Sequence, residues 1–145
     1  ILVNKWDLAS GTDVSAELYK QDMYDEFKDL RHYPILFVSA LTKRRVSNIL
    51  EVAWDIFTKQ RKKLSTKKLN EWVEKAVRNY PPPAKLGKSI KLKFIEQVQQ
   101  SPPIFAIFSN YPKLISVQYL RYLHNQLRDS FDLKGITIKF SLRKG

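Results

Sequence analysis

IFAIF, residues 104–108, is five consecutive apolar residues set behind Pro102 and Pro103. A run with no polar alternation suits a strand buried on both faces, or one at the centre of a sheet. The neighbouring segments can be read outward from it. Upstream, Ile90, Leu92 and Phe94 alternate with Lys91 and Lys93, which predicts a strand with one apolar and one cationic face. Before that strand, Leu69, Trp72, Val73, Ala76, Val77 and Tyr80 recur at three- and four-residue intervals, so residues 66–79 are expected to form an amphipathic helix stopped by Pro81, Pro82 and Pro83. Downstream, a helix is predicted over 113–131, with Val117, Leu120, Leu123, Leu127 and Phe131 inward and Arg121, Asn125 and Arg128 outward. A turn at Lys134 and Gly135 leads to a last strand in which Ile136, Ile138, Phe140 and Leu142 alternate with Thr137, Lys139, Ser141 and Arg143. The order is α-β-β-α-β. Such an α+β unit packs its helices on one face of a three-stranded sheet and leaves Lys91, Lys93, Lys139 and Arg143 as candidates for the other.

Further out, RKKLSTKK at 61–68 marks a boundary, and two domains are expected, 1–63 and 64–145. Charge divides there too. Residues 1–60 carry 8 Lys/Arg against 9 Asp/Glu, whereas residues 61–145 carry 18 against 5, a net of +13. The first domain reads strand, helix, strand, helix. Ile1 to Val3 run into Asn4, Lys5 and Asp7; Thr12 or Asp13 is the expected cap of a helix bearing Val14, Leu18, Met23, Phe27 and Leu30; Ile35 to Val38 form the second strand; Val46, Ile49, Leu50, Ala53 and Phe57 stripe the second helix. This is the repeat of a parallel α/β sheet, and two strands make a poor one alone, so the domain is expected to be the end of something larger. The first residue, Ile1, carries the same expectation of a longer chain.

Composition narrows the classes of function. With 43% hydrophobic and 28% charged residues, the chain has the balance of a globular protein and not of a disordered tail. The absence of cysteine rules out disulfides and thiolate metal ligands, and the separated His32 and His124 have no acidic or histidine partner at ligand spacing, so no metal site is expected. No apolar run has the roughly 20 residues of a membrane span, and a cytoplasmic location is expected.

Two sets of residues carry a family resemblance. Asn-Lys-x-Asp at 4–7 is similar to the guanine-specificity motif of Ras-like GTPases, and Ser39-Ala40-Leu41 lies where that superfamily has its second base-contacting loop. LNEWVEKAV, PPPAKLGKSIKLKF, SPPIFAIFSN and YLRYLHNQLRDSF closing on GITIKF resemble the C-terminal domain of the bacterial ribosome-assembly GTPases of the Der (EngA) family. The resemblance covers essentially the whole chain. It implies the tail of a second Ras-like GTPase domain followed by a KH-like domain, with the phosphate loop, the switches and the magnesium-binding residues upstream. It also implies that Asn4 ties the loops and approaches O6 and N7 of guanine, that the Lys5 stem covers the base plane, that the Ala40 amide donates to O6, and that Ser39 supports Asp7. The Asp7 carboxylate suits its role physically, because guanine offers adjacent N1 and N2 donors that adenine lacks.

No GxxxxGK[ST] pattern exists in the chain, so it is expected to have no catalytic residue, to hydrolyse no GTP and to bind GTP or GDP very weakly. The nucleotide belongs to the longer protein. The four glycines, Gly11, Gly87, Gly135 and Gly145, make no GxxG clamp of the ordinary KH kind. The basic half should instead attract phosphate backbones, which fits the large ribosomal subunit and its RNA that the resemblance implies as partner, with Lys88, Lys91, Lys93, Lys139, Arg143, Lys144, Arg121 and Arg128 as candidate contacts. Tyr119 and Tyr122 are available for stacking or packing. Two alternatives remain at this level: the basic domain senses nucleotide state by docking on the upstream GTPase domains, or the chain is a free-standing RNA-binding protein.

Overall fold

The computed structural model describes residues 1–145, which form two units, Ile1–Thr58 with Lys134–Ile136, and Lys59–Leu133 with Thr137–Gly145.

In the first unit, β1 (Leu2–Val3) pairs in parallel with β2 (Leu36–Phe37), Leu2 opposite Leu36 and Val3 opposite Phe37. The ladder is shorter than the apolar run that predicted it, although Ile35, Phe37 and Val38 are all buried. Helix α1 (Ala16–Glu26) starts later than expected: Ser15 is its N-cap, accepting from the Leu18 amide at 3.1 Å. Thr12 closes the preceding turn, donating to the Ala9 carbonyl at 2.8 Å. Leu18 and Phe27 face solvent, while Tyr19 of α1 reaches the sheet, its ring meeting Trp6 and Phe37 edge-on. Helix α2 (Ser47–Gln60) has the predicted stripe, yet Leu50 is 75% and Trp54 67% exposed. With Ala53 and Phe57 they line an open trough of about 650 Å³.

In the second unit, α3 (Thr66–Asn79), β3 (Leu92–Gln100), β4 (Pro103–Ser109), α4 (Val117–Phe131) and β5 (Lys139–Lys144) follow the predicted order. The sheet order is β3-β4-β5, with β4 antiparallel to β3 and parallel to β5. IFAIF is thus the central strand, and Phe105, Ala106 and Ile107 have no exposed surface. His124 of α4 meets Phe140 edge-on at 4.2 Å, and Phe140 is the register partner of Phe105. Phe105, Ile107 and Ile95 therefore lie on the helix-covered face, beneath Leu69, Trp72, Val73, Leu123 and Leu127. Each fully buried Leu or Phe of this layer contributes roughly 1.5–3 kcal/mol.

Three placements in this unit correct the expected phase. Leu92 pairs with Ser109 and Phe94 with Phe108, so Lys93 is the extra residue of a β-bulge. The bulge moves the period by one: Ile95 takes the inward position, and Phe94, expected inward, is 37% exposed on the open face. On α4, Val117 is 71% exposed because it is the first helical residue after the Ser116 cap, and Tyr119 takes its place inside. Arg128, expected outward, is 8% exposed.

Polar groups finish the unit. Asn70 of α3 spans the outer edge of β3, where its Oδ1 accepts from the Ile95 amide and its Nδ2 donates to the Ile95 carbonyl, both at 3.0 Å. Two tyrosines of α4 finish the end of α3, Tyr122 donating to the Ala76 carbonyl at 3.0 Å and Tyr119 to the Tyr80 carbonyl at 2.9 Å. Burial first, and then the neighbouring Tyr122 and Tyr80, push the Tyr119 phenol well above its ordinary range.

Candidate functional site

A candidate base pocket forms where β1 and β2 end. Parallel pairing brings both carboxyl ends to one edge, the position at which open α/β sheets bind ligands. The chain turns sharply there. Lys5 adopts a left-handed conformation, φ 62°, and begins a 3₁₀ turn over Trp6–Ala9. A left-handed non-glycine residue costs on the order of 1 kcal/mol, and the Trp6 amide offsets part of it by donating to the Val38 carbonyl at 3.0 Å. Asp7 is thereby aimed between the loops.

The two loops are joined through side chains 32 and 36 residues apart. Ser39 is 1% exposed, and its hydroxyl donates to Asp7 Oδ1 at 2.5 Å while accepting from the Thr42 amide at 3.1 Å. Asn4 Oδ1 accepts from the Ala40 amide at 3.1 Å. Asn4, Lys5, Asp7, Leu8, Ala40 and Leu41 line a pocket of about 520 Å³. Its walls suit a planar heterocycle. Leu8 and Leu41 are 71% and 83% exposed and supply apolar surface, and the Asp7 carboxylate presents acceptor oxygen. Leu8 was not singled out from sequence, although its position immediately after the Asn-Lys-x-Asp stretch was a usable signal. The Ala40 amide is engaged by Asn4, and an entering purine oxygen would share or displace that bond.

The candidate nucleic-acid contacts lie on the second unit. Lys139 and Arg143 pair in register with Ile104 and Phe108, which puts both on the face that the helices leave open. Lys93, Lys91, Lys144 and Arg121 are exposed, and Lys88 is exposed with its ammonium 4.9 Å from the Tyr111 ring centroid. Arg128 does not belong to this surface. Its side chain is buried and its Nε has no hydrogen-bond partner. Tyr119 and Tyr122 pack and cap, as their hydroxyl bonds require, and Tyr119 is 1% exposed. No group of three or more His, Cys, Asp or Glu side chains is placed to hold a metal ion, and no helix is long and apolar enough to cross a membrane.

Comparison with known proteins agrees with this architecture. Residues 63–143 match the family described as KH-domain-like of EngA bacterial GTPase enzymes, C-terminal. Over 144 residues, 99% of this chain, it is 40% identical to the GTPase Der of Flavobacterium johnsoniae and 36% identical to that of Chloroherpeton thalassium. A third relative, the GTPase Der of Amoebophilus asiaticus, is 38% identical over the same length. In each case the match covers 33% of the relative, so the chain spans about a third of the proteins it resembles. The chain belongs to the EngA (Der) family of bacterial GTPases, as their C-terminal KH-like portion.

Proposed function

We propose that the chain is the carboxyl-terminal part of a guanine-nucleotide-binding protein of large-subunit ribosome assembly, in which Asp7 selects the base and the basic unit grips ribosomal RNA. The observation that carries this reading is the hydrogen-bonded cluster Ser39–Asp7 and Asn4–Ala40 at the open end of β1 and β2. Asp7 would accept from guanine N1 and N2, Asn4 would hold the two loops in register, and the stem of Lys5 with Leu8 and Leu41 would flank the ring. A two-stranded parallel sheet with Leu50, Trp54 and Phe57 left uncovered on α2 fits the end of a larger Ras-like sheet, whose upstream part would supply the phosphate loop and magnesium ligands. The domains are 1–63 and 64–145 on this reading. By itself the chain binds nucleotide very weakly and hydrolyses none.

Asp7→Asn in the full-length protein is the direct test. An amide at this position still accepts from N1–H but offers a donor where guanine also has a donor. Xanthine, which has a carbonyl at C2, then pairs with it. Losing one buried partner costs about 1–3 kcal/mol, so guanine nucleotides should bind roughly 5- to 150-fold more weakly and xanthine nucleotides should gain. Unchanged guanine preference in equilibrium binding would remove Asp7 from the pocket.

A further inference from the structure

The open face of the second sheet carries an aromatic stack that the charge pattern alone does not reveal. Phe94 and Phe108 lie 4.2 Å apart between ring centroids and within 10° of parallel, and the Arg143 guanidinium carbon sits 5.9 Å from the centroid of Phe108. A stacked ring pair on β3 and β4 thus has a guanidinium from β5 close by. Burying an exposed Phe in the core would be the ordinary outcome for a strand of this pattern, and the bulge at Lys93 prevents it.

Charge surrounds the stack unevenly. Lys139 and Arg143 share its face by register, and a β-carbon built on Gly145 would lie 3.0 Å from Phe108 Cβ and 3.6 Å from Lys93 Cδ, so the Lys93 stem and Phe108 both approach Gly145. Glu96, paired with Ala106, is the one acid on that face. Cations that flank exposed, parallel rings are the arrangement by which proteins hold single-stranded nucleic acid, the rings taking bases and the cations taking phosphates. A protein partner would be served by the apolar rings, but not by three surrounding cations in a unit whose sequence from 61 to 145 has a net charge of +13.

We propose that the Phe94–Phe108–Arg143 stack is a base-stacking site for single-stranded RNA, with the ring of Phe94 taking the base and Lys93, Lys139 and Arg143 taking the adjoining phosphates. The inference deepens the reading of this unit as RNA-binding and rests on it. It differs from attraction by charge alone, which would hold duplex and single strand alike.

The test uses the chain 1–145 with a single-stranded RNA of about ten nucleotides carrying 2-aminopurine, and a duplex of equal length, titrated across a salt series. Wild type is expected to favour the single strand and to quench the fluorescent base. Phe94→Leu keeps an apolar side chain at an exposed position, and should weaken single-strand binding on the order of 10-fold and abolish the quench, with duplex affinity and salt slope unchanged. Phe94→Trp should restore both. Retained single-strand affinity in Phe94→Leu, alongside weakening by Lys139→Gln and Arg143→Gln, would overturn the stack and leave the RNA reading standing. Absence of binding to either RNA at low salt would overturn both. A wild-type chain that self-associates in sedimentation, with Phe94→Leu monomeric and RNA affinity untouched, would assign the rings to protein docking and overturn the proposal.

Discussion

Replacing Asn70 by Leu removes the one side chain that satisfies both backbone groups of Ile95 on the free edge of β3. Its two bonds there measure 3.0 Å each, and a third, from Nδ2 to the Thr66 carbonyl, measures 2.7 Å. Ile95 itself has no exposed surface, so water gains only partial access when the amide is gone. An unsatisfied buried donor or acceptor costs about 1–3 kcal/mol, and two of them under partial hydration come to roughly 2–4 kcal/mol. Leu is the better helix former by about 0.5 kcal/mol, which offsets a fraction of the loss. A net destabilisation of about 2–3 kcal/mol is expected. With a urea dependence of about 1 kcal/mol per molar for a unit of this size, the midpoint falls by roughly 2–3 M, read by circular dichroism on the chain 1–145. The Ile95 amide should also lose most of its protection in hydrogen exchange. Asn70→Asp separates the two bonds, because a carboxylate still accepts from the Ile95 amide but repels the two carbonyls. It should unfold early at neutral pH and recover part of its stability once acid protonates the new side chain. If Asn70→Leu stays within about 0.5 kcal/mol of wild type, the edge of β3 is satisfied by water and the reasoning fails.

Two further substitutions test the interior of α4. Tyr119→Phe should cost about 1 kcal/mol by removing the hydroxyl bond to the Tyr80 carbonyl. Because the folded phenol holds its proton above the ordinary tyrosine range, the unfolded chain is the one that ionises first as pH rises past about 10. Stability is therefore lost on the alkaline side, with a slope of about 1.4 kcal/mol per pH unit from this group, and denaturation series at pH 9 to 11 should show that part of the slope missing in Tyr119→Phe. Arg128→Met replaces a buried guanidinium whose Nε is unpartnered by an apolar chain of similar length, and the urea midpoint should stay level or rise while RNA affinity is unchanged. A large loss of RNA affinity in Arg128→Met would return that residue to the proposed RNA-binding surface.

The order of elements was legible because periodicity is local. Three- and four-residue spacing identified α3, and an unbroken apolar run identified β4 as central. Phase was less legible, because it depends on events between strands. A single extra residue at Lys93 moves the side chains from Phe94 to Gln97 to the opposite face, until a second irregularity between Gln97 and Gln99 shifts the phase again, and nothing in IKLKFIE distinguishes a bulge from regular alternation. Arg128 shows a related limit on a helix. It stands one turn after His124, which meets Phe140, so the buried arc of α4 reaches further round than its leucines mark out; an arginine stem fills such a position without announcing itself as core. The candidate base pocket divides in the same way. Asn4, Lys5 and Asp7 lie within four residues and were readable as a motif, whereas Ser39 finds Asp7 across 32 residues only because β1 and β2 run parallel and end together. The two aromatic sets of the second unit differ in the same way. Tyr119 and Tyr122 sit on a helix whose period turns them inward to cap α3, while Phe94 is turned outward by the bulge, so the rings available to a ligand are those that the simple strand pattern would have buried.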